Sequence, residues 1–309
     1  MANPSSEIDI RENYLSRRGE LLTILLKDRT TNKNIIWATD SYIKFDKNDF
    51  SPKKQIKAEL VTGDYSKIIQ PRASKSIDEQ KKRTKEKAEV FTDLKIVKQM
   101  NDEIDKNRQT KIDWKDYIKE LKLEITCGEA PFIVSRYDPT ANGKIIDIKN
   151  RVGFLDKKLK AVNRFCKIEE DWVNWAKEAY KSSYGYEWQG DNLLIARENL
   201  LYTFIDYYED NFDKKPSLKI QEEIADIISW NIFQMDGLKY VIPMSCKSQK
   251  SNSKILQIPF YDLNLSNREN CLECLGCKLS NPFQHNGKYV KIMNWEKNKK
   301  IKFVELLRK

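Results

Sequence analysis

The sequence predicts an α/β protein with a mostly parallel sheet and helices on both faces. Three observations predict it. Short β-leaning runs at residues 121–125, 183–188 and 231–233 alternate with longer helical patterns, as expected when helices connect parallel strands. An acidic residue stands at the end of each run, Glu124, Glu187 and Asp236, where open α/β sheets bind their ligands. No stretch approaches the ~20 apolar residues of a membrane-spanning helix, and a chain of 309 residues can bury a core without staples.

The elements follow in order. Residues 1–20 are polar and read as a helical arm. Residues 21–26 and 34–38 are apolar, β-leaning runs around the turn-forming residues 28–33, which predicts a hairpin. Residues 46–54 read as loop. The charged stretch 74–87 is a solvated helix or linker, or else a strip facing phosphates. Apolar residues at 94, 96, 97, 100 and 104 predict an amphipathic helix. Residues 117–125 lead into the first strand, and 126–131 form a turn. A Trp-rich helix over 169–182 carries Trp172, Trp175, Ala176 and Ala179 on one face. Helices over 192–212 and 218–230 bracket the step to the third strand. Beyond a polar loop at 245–254, residues 288–295 and 300–307 predict a second hairpin. The chain thus divides into an extension (1–84), a core (85–244) and a Cys-rich segment (245–309).

Lys and Arg number 56 against 46 Asp and Glu, a net charge of +10. That balance favours polyanionic partners, nucleic acid before membrane. The opening residues lack the basic-then-apolar order of a secretory leader, so the expected compartment is the cytoplasm. The single histidine, His285, excludes mechanisms needing two and argues against a Ser-His-Asp enzyme. Cys271, Cys274 and Cys277 are clustered, and in a reducing compartment such a cluster reads as metal before disulfide. With His285 they can close a tetrahedral zinc site, for which Cys246 is a competing ligand. Free thiols and an iron–sulfur cluster are the alternatives.

The first strand runs into Thr126, Cys127 and Gly128, a tight turn whose backbone N–H groups can approach a ligand. Glu187 is placed to accept ribose hydroxyls. Trp188 either lies against an adenine ring or belongs to the core.

Four segments together resemble the N6-adenine DNA methyltransferases. Residues 87–92 (KAEVFT) are similar to the family's QFFTP segment, and residues 123–132 (LEITCGEAPF) to its S-adenosylmethionine loop, LEPSCGEGxFL. Residues 184–200 resemble IYGIEI…LARxNL, and residues 232–238 the IxxxDxL strand end. They occur in family order over about residues 85–240. Ile125 and Ala130 depart from the family's Pro and Gly, and Asp93 from its Pro. The resemblance implies a Rossmann-like, class I S-adenosylmethionine-dependent methyltransferase sheet. It places Phe91 and Thr92 against the methionine part and Glu124 near its amino group. Thr126, Cys127 and Gly128 form the loop, Glu187 takes the ribose, Trp188 stacks on adenine, and Asp236 binds the adenine N6.

The family activates the target amine with an (Asn/Asp/Ser)-Pro-Pro-(Tyr/Phe) loop, because that nitrogen's lone pair is delocalised into the ring. The nearest string here, Asn281-Pro-Phe283, lacks one Pro. No catalytic residue is therefore assigned. The resemblance includes split systems, and it implies DNA and a second subunit carrying the NPPY loop and the target-recognition region as partners. A non-catalytic DNA-binding, antirestriction or specificity subunit is the second expectation, and an RNA or small-molecule methyltransferase the third.

Overall fold

The computed structural model describes residues 19–87, 89–107, 112–141, 143–247 and 274–308. The expected arm, apart from its last two residues, lies outside them.

The first apolar run is a helix, α1 (Gly19–Leu26), rather than a strand. Leu21, Leu22, Leu25 and Leu26 fall on one face and are all buried. A six-residue apolar run fits a buried strand or helix equally well by pattern, and packing decides it here. The expected hairpin contracts to β1 (Lys27–Asp28) and β2 (Lys33–Asn34). Its turn is fastened by the Asp28 carboxylate, which accepts the N–H groups of Thr30 (3.2 Å) and Thr31 (2.9 Å). The expected loop at 46–54 holds a one-turn helix, α2 (Lys47–Phe50), capped by Asp46.

Two longer helices follow, α3 (Ile77–Lys87) and α4 (Leu94–Lys106), the second capped by Asp93. After α5 (Trp114–Lys119) comes β3 (Lys122–Glu124), then α6 (Phe154–Phe165), α7 (Glu169–Lys181) and β4 (Ser183–Glu187). The long α8 (Gly190–Phe212) and α9 (Leu218–Asn231) lead to β5 (Ile232–Gln234). These strands form one parallel sheet in the order β3-β4-β5, with Glu124 opposite Gly185 and Glu187 opposite Gln234.

Helices on both faces were expected; among the described residues the crossover helices cover one face and a hairpin packs on the other. Ile232 packs into the large core formed with α1 and α6–α9. Tyr186 and Phe233 point the other way, into a smaller core with Val290, Ile292 and Phe303. That face carries the C-terminal hairpin, β6 (Lys291–Asn294) and β7 (Lys299–Lys302). The sheet steps in one direction from β3 through β4 to β5. Right-handed crossovers that all step one way put their helices on one face. Residues 303–307 form a short 3₁₀ turn instead of extending β7.

Residues 19–84 do not build a core of their own: Leu21, Trp37, Phe50 and Ile69 belong to the large one. The extended segment around Ile36 is held at the sheet's end by the Gln234 side chain. Its amide Nε2 donates to the Ile36 carbonyl (2.8 Å), and its Oε1 accepts the Ile36 N–H (2.9 Å). Gly190 permits this approach, since a Cβ there would stand 2.1 Å from the Ile36 carbonyl oxygen. Buried Arg197 donates to the carbonyls of Leu25, Lys27, Ser229 and Ile232, tying α1 and β1 to the end of α9.

Candidate functional site

A cleft of about 450 Å³ opens at the carboxyl ends of the strands, a size that suits a small-molecule ligand. It gathers five of the nine expected cofactor residues: Phe91, Thr126, Gly128, Glu187 and Trp188. Its remaining wall comes from Ala38 and Thr39, from Lys87, Glu89 and Val90, and from Gln189 and Asn192.

The turn after β3 is left-handed at alternate positions: Thr126 (φ +46°), Gly128 (+54°) and Ala130 (+65°). Non-glycine residues adopt such angles only when other bonds hold them. Those bonds are present. The Cys127 N–H donates to the Tyr186 carbonyl (2.8 Å), and the Gly128 N–H to Glu187 Oε2 (2.9 Å). The Glu124 carboxylate accepts the N–H groups of Phe132 (3.3 Å) and Ile133 (3.0 Å). Glu124 thus folds the turn back on itself and stands outside the cleft lining.

Glu187 accepts a second N–H, from Gln189 at 3.1 Å. A carboxylate has about four acceptor positions, so capacity for ligand hydroxyls remains. Burial raises the Glu187 pKa above the ordinary value, against the pull of its N–H donors. Burial raises Glu124 further, and nearby Glu187 adds to the shift. Buried Cys127 is likewise pushed up, which keeps its thiol protonated.

Phe91 lies over the turn, 3.4 Å from where a Gly128 Cβ would sit, and Arg72 stacks on its ring at 5.0 Å. Trp188 is half-buried, and its indole N–H donates to the Ala38 carbonyl (2.9 Å). Behind this wall Arg83 bonds both Glu89 oxygens (2.7 and 2.8 Å) and Asp191 (2.8 Å). Glu89 in turn accepts from the Asn192 amide (2.6 Å). Burial works against the charges of Glu89 and Asp191, yet Arg83 holds both below the ordinary carboxylate range. The Asn192 Oδ1 and Gln189 Oε1 atoms are buried without a hydrogen-bond partner, and both residues line the cleft.

Thr92 and Asp236 do not line this cleft. The Asp236 Oδ1 accepts the N–H groups of Leu238 (3.0 Å) and Lys239 (3.2 Å), closing its own turn. Sequence reasoning missed Ala38, Thr39, Gln189 and Asn192. The last two follow Glu187 into the first turn of α8, a usual place for ligand contacts. Nothing local marks Ala38 or Thr39, which tertiary packing brings in.

With this geometry established, the comparisons add nothing: no protein-family model matches the chain, and no curated protein or solved structure matches it.

A second cluster stands on the hairpin side. Cys246, Cys274, Cys277 and His285 place one ligand atom each within 4.8 Å of the others and could hold a metal ion. Cys271 lies outside the described residues. Among the described residues, no helix is long and apolar enough to cross a membrane.

Proposed function

We propose that the chain is the S-adenosylmethionine-binding subunit of a split, cytoplasmic N6-adenine DNA methyltransferase of a restriction–modification system. The observation that carries this reading is the shared cleft. Glu187 at the tip of the central strand, the Gly128 turn under Phe91, and Trp188 all open on one space.

The donor set suits that group. Glu187 takes the ribose hydroxyls, the Trp188 ring lies along the base, and Phe91 covers the methionine chain. The unpartnered oxygens of Gln189 and Asn192 accept hydroxyl or ammonium donors. When bound, S-adenosylmethionine supplies an electrophilic methyl group. This chain's residues orient it and exclude water. The target nitrogen must be activated from elsewhere, since none of the nine prolines is adjacent to another and a Pro-Pro loop is missing from the sequence.

The sheet supports a partner that supplies it. Among the described residues β3 is an edge strand, paired only with β4. Leu121, Leu123 and Ile125 beside that edge are 74%, 43% and 64% exposed, and an uncovered apolar edge is a pairing site. An apolar groove of about 660 Å³ runs between it and the hairpin, lined by Tyr184, Ile292, Trp295 and Phe303 among others. On α4, which joins β3 through the Asp105–Lys122 ion pair (2.8 Å), Ile96, Met100 and Ile104 form an exposed apolar stripe at helical spacing. The exposed Lys81, Lys82 and Lys85 on α3 offer cations to DNA phosphates.

A non-catalytic DNA-binding or antirestriction subunit is the alternative. It is favoured by the turn-closing bonds of Glu124 and Asp236, which leave Glu187 as the one strand-tip acid in the cleft. Assay of the purified chain, alone and co-expressed with the neighbouring reading frame, separates the two. Adenine methylation only with the partner supports the proposal. Methylation by the isolated chain refutes the split, and absence of S-adenosylmethionine binding refutes the cofactor role.

A further inference from the structure

We infer that Cys246, Cys274, Cys277 and His285 bind a structural zinc ion, with Cys246 and not Cys271 as the third thiolate. The distances carry the assignment. His285 Nδ1 lies 3.6 Å from the sulfurs of both Cys274 and Cys277 and 3.9 Å from that of Cys246. The Cys274 and Cys277 sulfurs are 3.4 Å apart. Tetrahedral zinc, with Zn–S of about 2.3 Å and Zn–N of about 2.0–2.1 Å, sets S···N near ~3.6 Å and S···S near ~3.8 Å. These four separations lie close to what one ion imposes, all four donor atoms fall within 4.8 Å of one another, and all three cysteines are free of disulfides.

The surrounding backbone holds this convergence. Cys274 and Cys277 flank and enter the short helix α10 (Leu275–Leu279). A Cβ on Gly276 would stand 2.5 Å from the His285 nitrogen and 2.7 Å from its Nδ1, so only glycine admits the imidazole. The His285 N–H donates to the Tyr289 hydroxyl (2.9 Å). On the Cys246 side, the Lys247 N–H and carbonyl both pair with the Asn286 side chain at 2.9 Å, and Ser245 Oγ accepts the Lys288 N–H (2.9 Å). These bonds keep residues 245–247 against 285–288, although Cys246 and Cys274 lie 28 positions apart in the chain.

Four protein donors leave no open coordination position, so the ion is structural. A Cys₃His set with closed geometry suits zinc, whereas iron–sulfur clusters are ordinarily held by four cysteines. The ion joins the segment leaving β5 to the one entering β6, where Val241 bridges both Asp236 and Tyr289. It thereby closes the small core that covers the sheet's second face. Lys239, 3.8 Å from Asp236 and also interacting with Cys277, links the cluster to the β5 turn.

The test uses the full chain purified without chelator. Elemental analysis is expected to give about one zinc per chain. Cobalt substitution is expected to give the visible bands of a tetrahedral thiolate site. Cys246→Ser should lower zinc affinity by about 100-fold or more, while Cys271→Ser should retain the full metal content. If Cys246→Ser fails to fold, alkylation of the wild-type chain followed by mass spectrometry decides instead: Cys246, Cys274 and Cys277 protected by zinc, with Cys271 labelled. Metal-free protein without cobalt bands overturns the site. Loss of zinc in Cys271→Ser with retention in Cys246→Ser, or protection of Cys271 in place of Cys246, overturns the ligand assignment.

Discussion

The Gly128 N–H donates to the Glu187 carboxylate at 2.9 Å, so the turn after the first parallel strand is fastened to the tip of the second. One bond across 59 residues of sequence fixes the distance between the turn and the acid, and with it the width of the cleft. The same carboxylate is the group proposed to meet the ligand, which makes the site's shape and its chemistry depend on one side chain.

Gly128 should not tolerate a side chain. Its φ of +54° lies where an L-residue costs about 1–2 kcal/mol, and a Cβ would touch the Phe91 ring at 3.4 Å. Gly128→Ala is expected to lower stability by about that amount in urea unfolding and to weaken S-adenosylmethionine binding. Unchanged affinity would show that the turn does not shape the ligand site.

Ligand binding should depend on pH through Glu187. Burial raises its folded-state pKa, so at neutral pH the ionised carboxylate costs the fold some stability that acidification relieves. Binding runs the other way. The ionised form accepts ribose hydroxyls, so affinity should fall as pH drops through a value above the ~4.3 of an ordinary glutamate. Glu187→Gln is expected to bind more weakly at neutral pH and with a flatter profile. Calorimetry across mildly acidic pH reads both.

How much of this was legible beforehand can be judged from particular residues. The turn at 126–131, the strand tips at Glu124 and Glu187, and the helix expected over 192–212 could be read because each depends on local pattern. The helix at Leu21–Leu26 was misread as β because a short apolar run has no decisive period. Ala38 and Thr39 reach the cleft only because Gln234 and Gly190 receive the segment around Ile36, a tertiary event. The same holds for Arg83, whose charged helix reads as solvated although this one side chain turns inward. Cys246 could be seen as a competitor for the metal, but its choice depends on the pairing of residues 245–247 with 285–288.

Arg83 should be a large contributor to the fold. It neutralises buried Glu89 and Asp191 behind the cleft, and removing one partner of a buried ionic group typically costs ~3–5 kcal/mol. Arg83→Met is expected to lose stability of that order at pH 7. Because both carboxylates titrate below their ordinary values in the folded protein, the stability they supply is complete above about pH 5. It is lost as pH falls through the lowered folded values. In the variant, burial without Arg83 favours the protonated acids, so the gap from wild type should narrow below about pH 4. Urea unfolding at the two pH values checks the sign.

The edge of β3, free among the described residues, should govern assembly. Leu121→Glu with Leu123→Glu changes exposed side chains, so the isolated chain should keep its stability within about 0.5 kcal/mol. Association with the co-expressed partner should weaken at least ~10-fold, because the introduced charges would be buried on docking. Analytical ultracentrifugation of the mixed chains measures this, and undiminished association would place the partner elsewhere.

The most direct test is a calorimetric titration of the isolated wild-type chain and Glu187→Ala with S-adenosylmethionine. The account predicts one site per wild-type chain and a marked loss of affinity in the variant, with thermal stability showing that the variant remains folded. No binding to the folded wild-type chain, or equal binding by both proteins, would contradict it.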